Sequence, residues 1–210
     1  MMKFLPLAAA ALLLPAAALA QPSPTALLGQ ASDAALDKLS KPGAFAADEA
    51  IRIGLPGSSS KVGGVNLGGL SKFATQAAGM PDLTTALNDA AGAAAGEAKP
   101  IFRAAIDKMS VTDMAGIATG GGTAATDYLQ RSAGSEVNAK LAPLVRSALS
   151  SAGVFKQTKQ LSSLGMTDDS INDYVTQKTA DGIFTYIGRE ETALRANPLG
   201  AAKSVLGILK

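Results

Sequence analysis

Apolar residues recur every three or four positions along most of the chain, and alternating runs are rare, so the pattern is one of helices with a single buried face. The spacing predicts a first helix over 25–39, with Leu28, Ala31, Ala35 and Leu39 on one face and Lys41-Pro42-Gly43 ending it. A weaker helix, diluted by Gly63, Gly64, Gly68 and Gly69, is expected over 61–77. Pro81-Asp82 then opens a helical stretch to Met109, in which Pro100 is either a kink or the start of a new helix. The one alternating run is Ile51-Arg52-Ile53-Gly54-Leu55-Pro56, read as extended chain: a short edge strand at most, or a clamp laid across helices.

Ser110 with Asp113 reads as the cap of a short helix to Ala118, which Gly120-Gly121-Gly122 ends. Two further helices are expected over 123–131 and 136–150, the second with Val137, Leu141, Leu144, Val145 and Leu149 as its stripe. Thr167 caps the strongest candidate, 168–195, with Ile171, Val175, Gly182, Ile183, Tyr186, Ile187 and Leu194 on its apolar face, and Asn197-Pro198 restarts a terminal helix. No repeat or heptad pattern stands out. The expected fold is all-α, an irregular multi-helix bundle with a short extended segment near 51–56.

The first 20 residues carry a different pattern. Lys3 precedes an apolar run from Phe4 to Leu14, and Ala18-Leu19-Ala20 has the small-x-small form of a signal-peptidase site. Pro6 and Pro15 break the run, which is shorter than the roughly 20 residues of a spanning helix. A signal peptide over 1–20, cleaved after Ala20, and a single helical domain over 21–210 are therefore expected, with periplasmic localisation in a Gram-negative source and no membrane span after cleavage.

Composition narrows the chemistry. The chain has no Cys and no His, which excludes disulfides, thiol nucleophiles, Ser-His-Asp and Cys-His catalysis, and nearly all zinc sites. Its formal charge of +2, with Lys and Arg scattered, argues against a nucleic-acid partner. Gly120-Gly121-Gly122-Thr123 ahead of a helix could bring backbone N–H groups onto an anion, but neither nucleotide-binding glycine fingerprint is met, and a turn between two helices accounts for it. The glycines and alanines between Leu67 and Ala98 permit either close helix packing or an apolar groove.

Among charged residues, Asp168 and Asp169 suit the positive end of a helix. Lys178 can pair locally with Asp181 or Tyr174. Glu190, four residues after Tyr186 and four before Leu194, would need a partner if buried, and Arg195 or Arg189 is near in sequence. Asp127, Tyr174, Lys178, Asp181, Glu190 and Arg195 are the polar site candidates. No catalytic residue, metal ligand or cofactor is assigned.

Four segments carry a resemblance: AKPIFRAAIDKMSVTDMAGIATGG (98–121), AATDYLQR (124–131), LAPLVRSAL (141–149) and DYVTQKTADGIFTYIGREETALRANP (173–198). They resemble the bacterial family of unknown function DUF4197, and ALDKLSKPGAF (35–45) and IRIGLP (51–56) fit the same pattern more loosely. The resemblance implies an exported, mostly helical protein. It carries over no activity and no residue role. Family members tend to carry a more charged stretch where this chain has 57–69, and an asparagine-arginine helix where it has Leu87-Asn88-Asp89-Ala90-Ala91.

Together these features favour a non-enzymatic binding or structural protein of the bacterial envelope, with a lipid, a peptide or another envelope protein as partner. The alternative is a carboxylate- or metal-dependent hydrolase, which would draw on Asp113, Asp127, Asp181 and Glu190 with Tyr174 and Lys178 as polar support; three of those carboxylates in one cleft would raise this reading, and their scatter over the surface would end it.

Overall fold

The Ser23 side chain accepts from the Ala26 N–H at 3.2 Å, and Pro24 fixes the first helical φ. That cap starts α1 (Pro24–Leu39) in the computed structural model, which describes residues 23–56, 81–110, 117, 120–158 and 167–197. Leu28, Ala31, Ala35 and Leu39 are all fully buried, as the spacing predicts. Gly43, at φ 75, makes the left-handed turn into the single-turn α2 (Ala44–Ala47), which inserts Phe45 into the core.

The stretch opened by Pro81 divides in two. α3 (Pro81–Glu97) ends at Ala98, and α4 (Lys99–Asp107) begins with Pro100 in its first turn, so the proline starts a helix and does not kink one. The small residues of α3 that the chain describes serve close packing: a methyl on Gly92 would lie 3.2 Å from the Leu39 carbonyl oxygen, and one on Gly96 3.3 Å from Ser40 Cβ. The helices expected over 61–77 and after Asn197, and most of the one over 110–118, fall outside the described residues.

Where two helices are expected, over 123–131 and 136–150, a single α5 runs Ala124–Ser151. Ser132-Ala133-Gly134-Ser135 is a poor helical stretch, costing about 1 kcal/mol at the glycine. Leu129 and Val137 on either side are buried on one face, and their packing outweighs that penalty. Pro143 sits inside the helix at an exposed position, and Ala139, whose carbonyl it leaves without a helical partner, is an exposed residue as well. The short α6 (Val154–Thr158) follows.

α7 (Asp168–Ala196) is the axis of the bundle. Thr167 and Ser170 form a reciprocal capping box at its start. Its most extensive interfaces are with α1 and α5, and α3 lies across both α5 and α7. Ile171, Val175, Ile183 and Ile187 are buried as expected, while Tyr186 and Leu194 lie at the edge of the stripe. Phe102 of α4 meets Phe184 edge-on, ring centroids 5.4 Å apart. No strand occurs among the described residues, and none of their helices is long and apolar enough to cross a membrane.

The segment 51–56 is a strap across helices and belongs to no sheet. The Asn88 side chain accepts from the Ile53 N–H and donates to the Ile53 carbonyl, both at 2.9 Å, as a neighbouring strand would. Asn88 also donates to the Thr84 carbonyl at 2.8 Å, and the Tyr174 hydroxyl donates to the Gly54 carbonyl at 2.9 Å. Side chains of α3 and α7 thus satisfy the strap's backbone at Ile53 and Gly54.

Gly182 leaves no room for a larger residue: an added Cβ would lie 2.7 Å from Phe45 Cε1 and 3.4 Å from Ile51 Cβ. Phe45 is 1% exposed, so its ring has nowhere to retreat. Gly182→Ala is expected to lower stability by about 1–3 kcal/mol through overpacking, measured by urea unfolding; Gly182→Ala with Phe45→Leu should recover part of it.

Candidate functional site

The loop 120–123 passes very close to α7. A methyl on Gly122 would lie 3.0 Å from the Thr192 hydroxyl oxygen, and one on Gly188 3.2 Å from Thr123 Cγ2. This approach brings Glu191, wholly buried, against the start of α5. Its carboxylate accepts from the Ala125 N–H at 3.0 Å, the Thr126 N–H at 2.8 Å and the Thr126 hydroxyl at 2.7 Å. Those two N–H groups are the second and third of the helix, the pair a local cap would take, and Thr123 at the N-cap makes no such bond. An acid from a distant helix therefore caps α5, where the helix dipole also favours negative charge.

Arg195, one turn further along α7, donates from Nε to Glu191 at 2.8 Å and from Nη2 to the Ile117 carbonyl at 3.2 Å. The anion at the triple-glycine turn is thus supplied by the protein itself. The buried acid is Glu191, and its neighbour Glu190 reaches the other way to pair with Lys38 of α1. The signal was present in the sequence: Glu191 continues the row Ile183-Ile187 at i+4 spacing and precedes Arg195 by four, whereas Glu190 continues the edge row through Tyr186.

Beside this lock the two helices face each other with polar stripes, and the seam stays open as a cleft of about 660 Å³. α5 and the residue before it contribute Thr123, Thr126, Asp127 and Gln130. α7 contributes Asp181, Thr185, Gly188 and Thr192 along one face, with Phe184 and Arg189 alongside. Asp127 accepts from the Thr123 hydroxyl at 3.0 Å. The cleft walls strip water from Asp181 and raise its pKa, against the attraction of Lys178.

The sequence candidates therefore divide. Asp127 and Asp181, 54 positions apart in sequence, share the cleft. Lys178 lies next to Asp181 without lining it, Glu190 is on the α1 side, and Arg195 stands behind the wall in the Glu191 lock. Tyr174 holds the strap, and burial raises its pKa. Asp113 lies outside the described residues. Two of the four acids proposed for hydrolysis are thus brought together. Among the described residues no group of three or more Asp, Glu, His or Cys could hold a metal ion.

Arg189, the one cation among the lining residues, is held from outside. Asp48, just after α2, pairs with it and accepts from the Tyr186 hydroxyl at 2.9 Å, while the guanidinium lies 4.9 Å from the Tyr186 ring centroid. The pairing of Asp48 with Arg189 was not legible locally, because the two stand 141 positions apart and meet only in the folded chain. The Arg189 hydrogen bond, then the Ala50 N–H and the Tyr186 hydroxyl, lower the Asp48 pKa from 3.8 to about 2.

A depressed carboxylate pKa contributes stability that is present above the unfolded value and is lost as pH falls through the folded one. Wild type should therefore lose thermal stability relative to Asp48→Asn between about pH 4 and pH 2, and the two should run parallel above pH 5. A constant gap across pH 2–7 would show that the Asp48 cluster adds no charge-dependent stability. The same measurement on Glu136, bridged by Lys108 at 2.6 Å and Lys140 at 2.8 Å and also lowered to about 2, should give a curve of the same sign.

A family model described as "Protein of unknown function (DUF4197)" matches residues 24–209, in agreement with the resemblance carried by the four segments. No curated protein and no solved structure matches the chain.

Proposed function

We propose that this chain, which belongs to the DUF4197 family of unknown function, is an exported, non-enzymatic binding protein of the bacterial envelope, and that the α5/α7 cleft is its binding surface. The observation that carries the reading is a cleft of about 660 Å³, within the range of ligand sites, bordered by hydroxyl, amide and carboxylate groups on two helices locked together beside it. Its polar lining favours a peptide or protein segment over a lipid tail. Export rests on the signal-like pattern of residues 1–20, and the periplasm is the compartment that pattern indicates.

Native mass spectrometry of protein purified from the envelope fraction tests both parts. A mature mass beginning at Gln21 is expected, with crosslinks from a photoreactive residue at position 185 to an envelope peptide or protein. Crosslinks unaffected by filling the cleft from the exposed lining position with Gln130→Trp would remove the cleft from the proposal.

One observation favours a second reading: Asp127 and Asp181 share the cleft, and Asp181 has a raised pKa, as a general acid requires. A carboxylate-dependent hydrolase would turn over ester, glycoside or peptide substrates, and Asp181→Asn would abolish that turnover.

A further inference from the structure

We infer that the α5/α7 cleft takes a primary alkylammonium group, offered as the lysine side chain of a partner peptide; the inference rests on the cleft being the binding surface. The direction of the hydrogen bonds already made carries it. The Thr123 hydroxyl donates to Asp127, and the Thr126 hydroxyl to Glu191. The Thr185 hydroxyl donates to the Asp181 carbonyl and the Thr192 hydroxyl to the Gly188 carbonyl, both at 2.8 Å.

All four threonine protons are thus spent inside the protein, and each oxygen has only lone pairs to offer the cleft. Asp127 and Asp181 add carboxylates from opposite walls; neither forms a salt bridge among the described residues, and the attraction of Lys178 for Asp181 comes from outside the lining. The Arg189 guanidinium bonds Asp48 through one nitrogen and lies against the Tyr186 ring, which draws part of its charge away from them. The cleft therefore offers more acceptors than donors, the donors being the Arg189 guanidinium and the Gln130 amide.

An anion would meet two carboxylates and the threonine lone pairs against Arg189 alone, and a sugar hydroxyl would find few donors to accept from. An ammonium has three donors and no acceptor, which complements this lining. A divalent metal ion demands six or more oxygens in near-regular geometry, and two carboxylates on separate helices do not supply a cage. The buried Phe184, which forms part of the lining, gives an alkyl chain an apolar surface to lie on. Gln130 adds an amide able to pair with the flanking peptide backbone.

The test is an NMR titration of the isotope-labelled mature protein with a lysine-containing peptide, its Nε-acetylated form, and spermidine. The lysine peptide should shift the Thr185, Gly188 and Thr192 amides. Asp127→Asn or Asp181→Asn should weaken its binding about tenfold or more, and added salt should weaken it further. Thermal melts check that both variants remain folded, as their exposed positions lead one to expect. Equal binding of the acetylated peptide would overturn the ammonium assignment and leave the cleft as a peptide site. Binding of spermidine with both peptides silent would overturn the peptide as its source. No shift at those amides with any of the three would overturn this inference and count against the cleft itself.

Discussion

Glu191→Ala is expected to destabilise the protein by about 3–5 kcal/mol, a large share of the 5–15 kcal/mol typical of a domain. The carboxylate is fully buried and satisfies four groups at once: two N–H groups and one hydroxyl of α5, and the Arg195 guanidinium. Its removal leaves the start of α5 uncapped and a largely buried cation without its anion. Glu191→Gln keeps one acceptor oxygen but turns an NH₂ group toward donors, so it should fall between wild type and alanine. Chemical denaturation of the two variants, with Arg195→Met and the double variant, forms a thermodynamic cycle. The double variant should lose less than the two singles summed, because the second change removes a charge the first had stranded. A loss below about 1 kcal/mol for Glu191→Ala would mean that water caps α5 as well as the acid does.

The second large effect concerns Asn88. Asn88→Ala removes three hydrogen bonds and leaves the Ile53 N–H and carbonyl unpaired in a region where Ile53 is fully buried. A loss of about 2–4 kcal/mol is expected, from the desolvation of groups that no longer have a partner. Asn88→Asp is the sharper variant. A carboxylate can still accept from the Ile53 N–H, but it would face the Ile53 and Thr84 carbonyls, to which the amide donates. It should be at least as damaging as alanine at neutral pH and recover when acidified enough to protonate. Hydrogen exchange gives the local readout: the Ile53 amide should lose protection in both variants while α1 amides keep theirs. Unchanged protection at Ile53 would mean that Tyr174 and side-chain burial hold the strap without Asn88.

What could be read from the sequence was what local chemistry determines. The α1 face, the Thr167 cap and most of the α7 stripe follow from residues within two turns of one another. The fusion of two expected helices into α5 was not legible, since Ser132-Ala133-Gly134-Ser135 is helical only because Leu129 and Val137 are buried by other helices. The extended nature of 51–56 was legible from its alternation and Pro56, but its clamp depends on an asparagine 35 positions away. The cleft was half legible: Asp127 and Asp181 stand with Asp113 and Glu190 as acids that could converge, and only the meeting of α5 and α7 selects these two. Glu191 was missed in favour of Glu190 because the stripe's edge and centre differ by one residue, and only burial of Ile187 and partial exposure of Tyr186 separate them.

The clamp on the strap has a consequence for the behaviour of the chain in a crowded compartment. Ile51-Arg52-Ile53-Gly54-Leu55 is the kind of short, β-prone, apolar run whose open backbone edge recruits a second strand and seeds aggregates. Asn88 occupies the N–H and the carbonyl of Ile53, and Tyr174 occupies the carbonyl of Gly54, so those edge positions are not open to an incoming strand. Two side chains of the helical bundle thus act as gatekeepers for this strand-like segment, beside the charge of Arg52 within the run and Pro56 at its end.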